Sequence, residues 1–394
     1  MKKPLRIGLI MHGGYSWLGG IEYIKNIVLA LASLPPEVRS TFEVCLLCSN
    51  SLQDTLGGIS KHLTSIYYLE TDLERLTLPN LIRWKIIRTL FGQNDPRLDR
   101  FLKKARIDFA YPCFTKGRGG RSYRSAAWIP DCQHKHLTGF FTKDEIQMRD
   151  KNFASIANSA SVIVFSSKTS EADFSKFFHK PTYKSKILSS RACLSPELYE
   201  EDPLETQKAY HLPDRFFFIN SQFWQHKNHL VVFKALRILQ DQAIYPIIVC
   251  TGCMYDYRKP EFLDMILQTI NRSGIAHQVH LLGVVTRPDM ISLMRCALAV
   301  IHPSLFEGWS TVVEEARCLG KPIILSDIPV HREQEPPNSF FFQNDSAEDL
   351  ATVLAEYWKT LTPGPNPENE AIAKNNNLRE VKAFGYHFLE IAKG

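Results

Sequence analysis

The sequence predicts an α/β protein of two doubly wound domains, each built on a parallel sheet, facing each other across a cleft. Three observations carry this. Short apolar runs alternate with amphipathic segments once in each half of the 394 residues, and strands alternating with helices imply parallel pairing. Between the halves, "RACLSPELYEEDPLETQKAYHLPD" is polar and punctuated by proline, with little apolar periodicity, as a linker between two sheets should be. The composition, 44% hydrophobic and 22% charged, is that of an ordinary globular chain long enough for two cores.

The elements follow in order. In the first half "RIGLIMH" reads as a strand and Ile21 to Ala32 as a helix, then "FEVCLLC" as a strand and Leu52 to Leu63 as a helix. Further strands are expected at "SIYYL", "IDFAYP", "AAWIP", "SVIVFSS" and "SKILSS", with a helix from Ser170 to Phe178. The cadence restarts at "RFFFINS", followed by Asn228 to Gln240, "YPIIVC", Glu261 to Ser273, "QVHLLG", Pro288 to Arg295 and "ALAVIHP". A short helix from Thr311 to Leu319 then sits between Gly308 and Gly320, ahead of a buried strand at Pro322 to Leu325. The expected division is residues 1–190 on the acceptor side, a linker at 191–213, a ligand-binding domain at 214–372 and a helix at 373–394, "NLREVKAFGYHFLEIAKG" within it, returning toward the first domain.

Composition excludes several classes. The nine cysteines are odd in number and scattered through apolar runs, and the pairs Cys45/Cys48 and Cys250/Cys253 lack the second pair or the histidines of a zinc site. Buried free thiols and a reducing cytoplasm are the expectation. A net charge of +6 is far from the dense basic stripe of a nucleic-acid binder. No apolar run approaches the roughly 20 residues that span a bilayer, and "MKKPLRIGLIMHGG" lacks the features of a signal peptide.

Parallel sheets bind ligands beyond the carboxyl ends of their strands, where loops meet helix N-termini. In the second half this rule selects "NSQFWQHKNH", "TGCMYD", "GVVTRP" and "HPSLFEGWST"; in the first it selects "MHGGYSWLGGIEY" and "PDCQHKHLTGFF". The glycine-rich "HGGYSWLGGIEY" either lets backbone approach a phosphate or sugar, or is a flexible turn; it matches no standard phosphate loop. Lys227 stands at a helix start, where a cation is unfavourable by a few tenths of a kcal/mol unless an anion joins it. Otherwise it is a solvated lysine. Glu307 and Glu315 lie eight positions apart across the start of the helix, with Glu314 pointing elsewhere. Carboxylates accept from vicinal hydroxyls, and free N–H groups between them suit a phosphate. Hydroxyl, phosphate, hydroxyl describes a nucleotide sugar.

The run "HPSLFEGWSTVVEEARCLGKPIILSD" resembles the E-x7-E signature of glycosyltransferase family 4, retaining transferases of the GT-B fold. "LLGVV", Leu281 to Val285, looks like the family's base-binding loop, and "GGIEY" like its amino-terminal glycine loop. "QFWQHKNH" resembles a "QFW.HKNH" variant group of the same family. The resemblance implies catalytic roles for Lys227 on the leaving diphosphate, Glu307 at the donor sugar and His134 near it. It implies donor binding by Gly19, Gly20, Gln222, Gly283, Ser310, Thr311 and Glu315: Glu315 on the ribose, the Ser310 and Thr311 N–H groups on the phosphate. Gln222 departs from the pattern, which has an arginine five positions before the lysine. The amide brings no charge, so another cation substitutes or donor binding is weaker. His134 is preferred to His136 for its spacing from Asp131.

The expected function is therefore transfer of a sugar such as mannose, rhamnose or glucose from a nucleoside diphosphate to a hydroxyl acceptor, in polysaccharide or glycolipid assembly. No metal and no other cofactor is expected. The partners are a nucleotide-sugar donor and a glycan or glycolipid acceptor, not nucleic acid. Arg83, Lys85 and Arg88 beside Trp84, with Lys116, Arg118, Arg121 and Arg124, would suit weak contact with the inner face of the membrane, or else belong to a core helix beside a loop. The rival readings are a catalytically silent sugar-binding or scaffolding protein and a nucleotide-sugar epimerase on the same fold.

Overall fold

The computed structural model of the protein describes residues 3–11, 18–73, 96–113, 123–178 and 183–394. Arg83, Trp84, Lys85, Arg88, Lys116, Arg118, Arg121 and all of "HGGYSW" lie outside them. Two compact units emerge: the first comprises Met1–Cys132, Asp144–Cys193 and Arg379–Gly394, the second Gln133–Lys143 and Leu194–Leu378.

In the first unit, strands β1 (Leu5–Ile10), β2 (Phe42–Cys48), β3 (Ser65–Tyr68), β4 (Phe109–Tyr111) and β5 (Arg124–Ser125) form a parallel sheet in the order β3-β2-β1-β4-β5. Strands β6 (Ala127–Ile129), β7 (Val162–Phe165) and β8 (Lys184–Ile187) make a separate parallel sheet. Helix Leu18–Ala32 turns Ile24, Ile27, Val28 and Leu31 inward, on residues three and four apart. The helix expected at Leu52 to Leu63 is instead two 3₁₀ turns, Asn50–Leu56 and Ser60–His62. Gly57 and Gly58 interrupt it after less than two α-turns, too short to sustain a helix. Arg124 is held by the backbone carbonyls of Ala392 and Lys393.

In the second unit, β9 (Phe217–Asn220), β10 (Ile248–Thr251), β11 (Val279–Gly283), β12 (Val300–His302), β13 (Ile323–Ser326) and β14 (Ser339–Phe342) lie in the order β11-β10-β9-β12-β13-β14, all parallel. The order reverses between β9 and β12, the switch point of a doubly wound sheet. Its central strands are continuous apolar runs because helices cover both faces. Part of the stretch expected as a linker is built into this unit, from Leu194 on. Asp202 caps helix Pro203–Ala209 by accepting from Leu204 N, and Leu198 and Leu212 join the core. All nine cysteines are free thiols. Among the described residues no helix is long and apolar enough to cross a membrane.

Candidate active site

The site grows from the carboxyl ends of β9 and β12, neighbours at the switch point. After β9 the chain is pinned to the loop after β10: Ser221 N donates to Thr251 O and Phe223 N to Cys253 O, at 3.2 and 2.9 Å. The approach is so close that a Cβ on Gly252, whose φ is +136°, would sit 2.3 Å from Ser221 O. Only glycine serves there. A 3₁₀ turn, Gln225–Lys227, then leads through Asn228 in the left-handed region (φ 55°) into helix His229–Asp241. Asn228 fits that conformation and donates its amide to Asn344 O at 3.0 Å. Lys227 is thereby fixed at a helix start.

After β12, Leu305 N donates to His226 O at 2.8 Å and joins the two loops. Lys227 Nζ then donates to Glu307 Oε1 at 2.5 Å, with the two side chains 17% and 11% exposed. His302 Nε2 lies 3.3 Å from the same oxygen and 2.9 Å from Ser310 Oγ. Burial alone would raise the Glu307 carboxyl, but the Lys227 charge and the His302 hydrogen bond outweigh it and hold it well below the usual carboxylate range. Burial pushes His302 down, against the pull of Glu307, and leaves its ring neutral at pH 7. Three further buried histidines line this region. His226 is held well below its ordinary value by burial and by Lys227, and burial pushes His229 and His331 down to about 3. An ionised lysine–glutamate pair thus stands among neutral rings.

The turn that carries Lys227 is braced from behind. Asp256 Oδ2 accepts from Gln225 N at 3.1 Å. The buried Arg258 guanidinium packs over the rings of Trp224, Phe141 and Tyr257 at 5.0 to 5.6 Å, with Nη2 3.5 Å from His226 Nδ1.

Helix Thr311–Cys318 is capped by Ser310, whose Oγ accepts from Val313 N. The Ser310 N–H, expected on the phosphate, has a protein partner here. It donates to Gln334 Oε1 at 3.1 Å, while Gln334 Nε2 donates to Ser310 O and Glu314 Oε1, both at 3.0 Å. A buried N–H requires a partner, and Gln334 from the next helix supplies it. Thr311 and Val312 remain in the first turn, where backbone N–H groups suit an anion. Glu314 turns inward to Gln334 and Arg317. Glu315 lies at the sheet edge, bonded by Arg287 Nη1 at 2.9 Å and Asn220 Nδ2 at 3.4 Å.

Of the remaining predicted residues, Gln222 is half-buried in the β9 loop beside Gly252, and Gly283 ends β11 at φ +72°. Gly19 and Gly20 are in the first turn of helix Leu18–Ala32 rather than in a loop, since the helix begins at Leu18. They belong to the first unit. His134 is fully buried on the short helix Gln133–His136, edge-on to Phe141, within a segment that packs with the second unit. His136 is the histidine whose ring stacks on Phe306, next to Glu307, at 5.0 Å. Sequence reasoning also passed over His302, Arg287, Arg258 and Gln334. For His302 there was a signal, a polar residue at the carboxyl end of a buried strand. Among the described residues no group of three or more His, Cys, Asp or Glu is arranged to hold a metal ion.

This architecture is the GT-B fold. It is shared with Anabaena HepE in complex with UDP and glucose (14% identity, 99% of this chain and 100% of that one, TM-score 0.65). It is shared also with WaaG, a glycosyltransferase involved in lipopolysaccharide biosynthesis (14%, 96% and 95%, TM-score 0.58). Residues 204–376 match the family described as Glycosyl transferases group 1. The chain is 23% identical to the O-antigen chain mannosyltransferase B of Escherichia coli over 48% of its length and 49% of that protein's. It is 22% identical to an uncharacterized glycosyltransferase of Methanocaldococcus jannaschii over 53% and 54%. It spans about half the length of the curated relatives it matches.

Proposed function

We propose that this chain is a retaining family 4 glycosyltransferase. It moves a hexose such as mannose, rhamnose or glucose from a nucleoside diphosphate to a hydroxyl of a glycan or glycolipid, in polysaccharide or glycolipid assembly in the cytoplasm. The observation that carries the reading is the Lys227–Glu307 pair at the switch point of the sheet, beside the start of helix Thr311–Cys318. The match of residues 204–376 to the group 1 family supports it.

In this reading Lys227 leaves Glu307 for the diphosphate, and its charge counts most as the phosphate departs. The N–H groups of Thr311 and Val312 add donors to the same oxygens. Glu307, kept ionised by its surroundings, takes hydroxyls of the donor sugar, and Glu315 takes those of the ribose. The departing phosphate itself receives the acceptor proton, so no protein base is required. His136, stacked on Phe306, contacts the sugar or the acceptor, and the buried His134 positions that segment from within. A lysine and a helix terminus do the electrostatic work of a divalent cation, so activity should survive EDTA.

The test is a panel of UDP-, GDP- and dTDP-hexoses incubated with and without glycan acceptors, the product anomer being read by NMR. Acceptor-dependent release of nucleoside diphosphate with a retained anomer is expected. Binding without turnover would favour a silent sugar-binding protein, to which the uncharged Gln222 points. Interconversion of free sugars would favour an epimerase.

A further inference from the structure

Glu315 is not a bare carboxylate. Arg287 opens helix Arg287–Cys296 directly after its Thr286 cap, and its Nη1 lies 2.9 Å from Glu315 Oε1. From the other side Asn220, at the end of β9, donates to Oε2 at 3.4 Å, and Asn220 Oδ1 accepts from Thr251 Oγ1 at the end of β10. A cation at the first position of a helix works against the helix dipole, so the arginine's place there answers to Glu315. The Glu315 side chain is sunk, 7% exposed, whereas the Arg287 side chain is 37% exposed.

The pair changes what Glu315 can recognise. A vicinal diol on an isolated carboxylate gives both of its protons to the two oxygens. Here Oε1 already accepts from a guanidinium at 2.9 Å and Oε2 from Asn220 at the longer distance of 3.4 Å, and a guanidinium can only donate. The best-matched diol gives one proton to Glu315 and offers the oxygen of its other hydroxyl to Arg287. We propose that Arg287 and Glu315 read the two ribose hydroxyls together, as a donor and acceptor pair, which makes Arg287 a specificity-determining residue for ribonucleotides. The inference rests on the nucleotide-sugar reading of the site. A nucleotide that lacks the hydroxyls forgoes both of these hydrogen bonds, and sites built to hydrogen-bond a hydroxyl reject analogues without one strongly.

Calorimetry on the full chain tests it, with UDP, GDP and their 2′,3′-dideoxy counterparts as probes and Arg287→Gln and Arg287→Lys as variants whose thermal unfolding is compared with the unmodified protein. The unmodified protein should bind one of the two diphosphates at least about tenfold more tightly than its dideoxy form. Arg287→Gln should weaken the ribonucleotide about tenfold and leave the dideoxy form within about twofold. Arg287→Lys, lacking the planar fork, should fall between. Equal weakening of both forms would make Arg287 a counter-charge for the diphosphate and overturn the proposal, as would an unchanged preference. If the unmodified protein bound none of UDP, GDP and dTDP, the nucleotide reading itself would fall and this inference with it. Binding of UDP or GDP that ignores Arg287 overturns this inference alone.

Discussion

Two ion pairs of similar burial stand at opposite ends of the second unit's sheet. At the amino end, Arg295 and Glu370 meet in a two-pronged contact at 3.0 and 3.1 Å. Arg295 Nη1 also donates to the carbonyls of Leu198 and Glu201. At the carboxyl end, Lys227 and Glu307 meet through one contact, and the other polar neighbour of the carboxylate is a neutral histidine. The first pair is completed by backbone. Among the described residues the second leaves ammonium protons and a carboxylate oxygen for something else, and it stands where a parallel sheet receives its ligand. Burial alone does not separate a brace from a site; what differs is how many of the charged groups' hydrogen bonds the protein itself makes.

The contrast can be broken by mutation. Arg295→Ala should show the largest effect, a loss of about 3 to 5 kcal/mol in denaturant unfolding, because Glu370 and two carbonyls are left without their donor. Turnover per folded molecule should stay near that of the unmodified protein. Lys227→Ala should do the reverse and lower turnover about 100-fold or more, roughly 2.7 kcal/mol of transition-state stabilisation, with a smaller stability loss than Arg295→Ala. A Lys227→Ala protein that is as unstable as Arg295→Ala and still turns over would erase the distinction.

Acid should act on the neutral rings around the second pair. His229 and His331 are held down to about 3. Below about pH 6.5 the unfolded chain takes up protons there that the folded chain refuses, so the stability these groups leave intact at neutral pH is lost as pH falls toward 3. Each should add about 1.4 kcal/mol per pH unit to the slope of unfolding free energy between pH 6 and 4. His229→Gln or His331→Gln should flatten that slope by about this amount, and a slope indifferent to both substitutions would mean that the rings protonate in the folded state.

The smallest effect expected is a gain. Gln222→Arg should tighten the free nucleoside diphosphate by less than about tenfold, since it adds one partly solvated charge near Lys227. Calorimetry without change would indicate that a cation already present fills that place.

Strands β9 to β13 of the second unit were legible as largely apolar runs separated by amphipathic helices, whereas β14 and helix Ala347–Thr360 were passed over. Lys227, Glu307 and Glu315 were legible for a related reason: their places depend on local spacing at a helix start. What could not be read depends on side chains distant in sequence. Gln334 captures the Ser310 N–H from 24 positions away, and Arg287 reaches Glu315 from the preceding helix. The first unit was legible in part. Strands β4 and β6 fall where "IDFAYP" and "AAWIP" predict them, whereas β5 has two residues, too few for alternation to register. Gly19 and Gly20 suggested a loop by composition, whereas the helix had already begun.

One packing detail bears on how the protein is made. Helix Pro367–Lys393 presents Val381, Phe384, Phe388, Leu389 and Ile391 to the same core as Ile7, Leu9, Phe109 and Tyr111. Gly385 lies so close to helix Leu18–Ala32 that a Cβ there would be 2.6 Å from Ala30 O. The ribosome therefore emits strands β1 to β8 long before the residues that close their core, whereas the second unit has all of its chain once Leu378 has emerged. Domains commonly fold from the amino terminus as they appear. In this chain the first-made unit lacks part of its core until the second unit's residues have all been synthesised, because residues 379–394 come last.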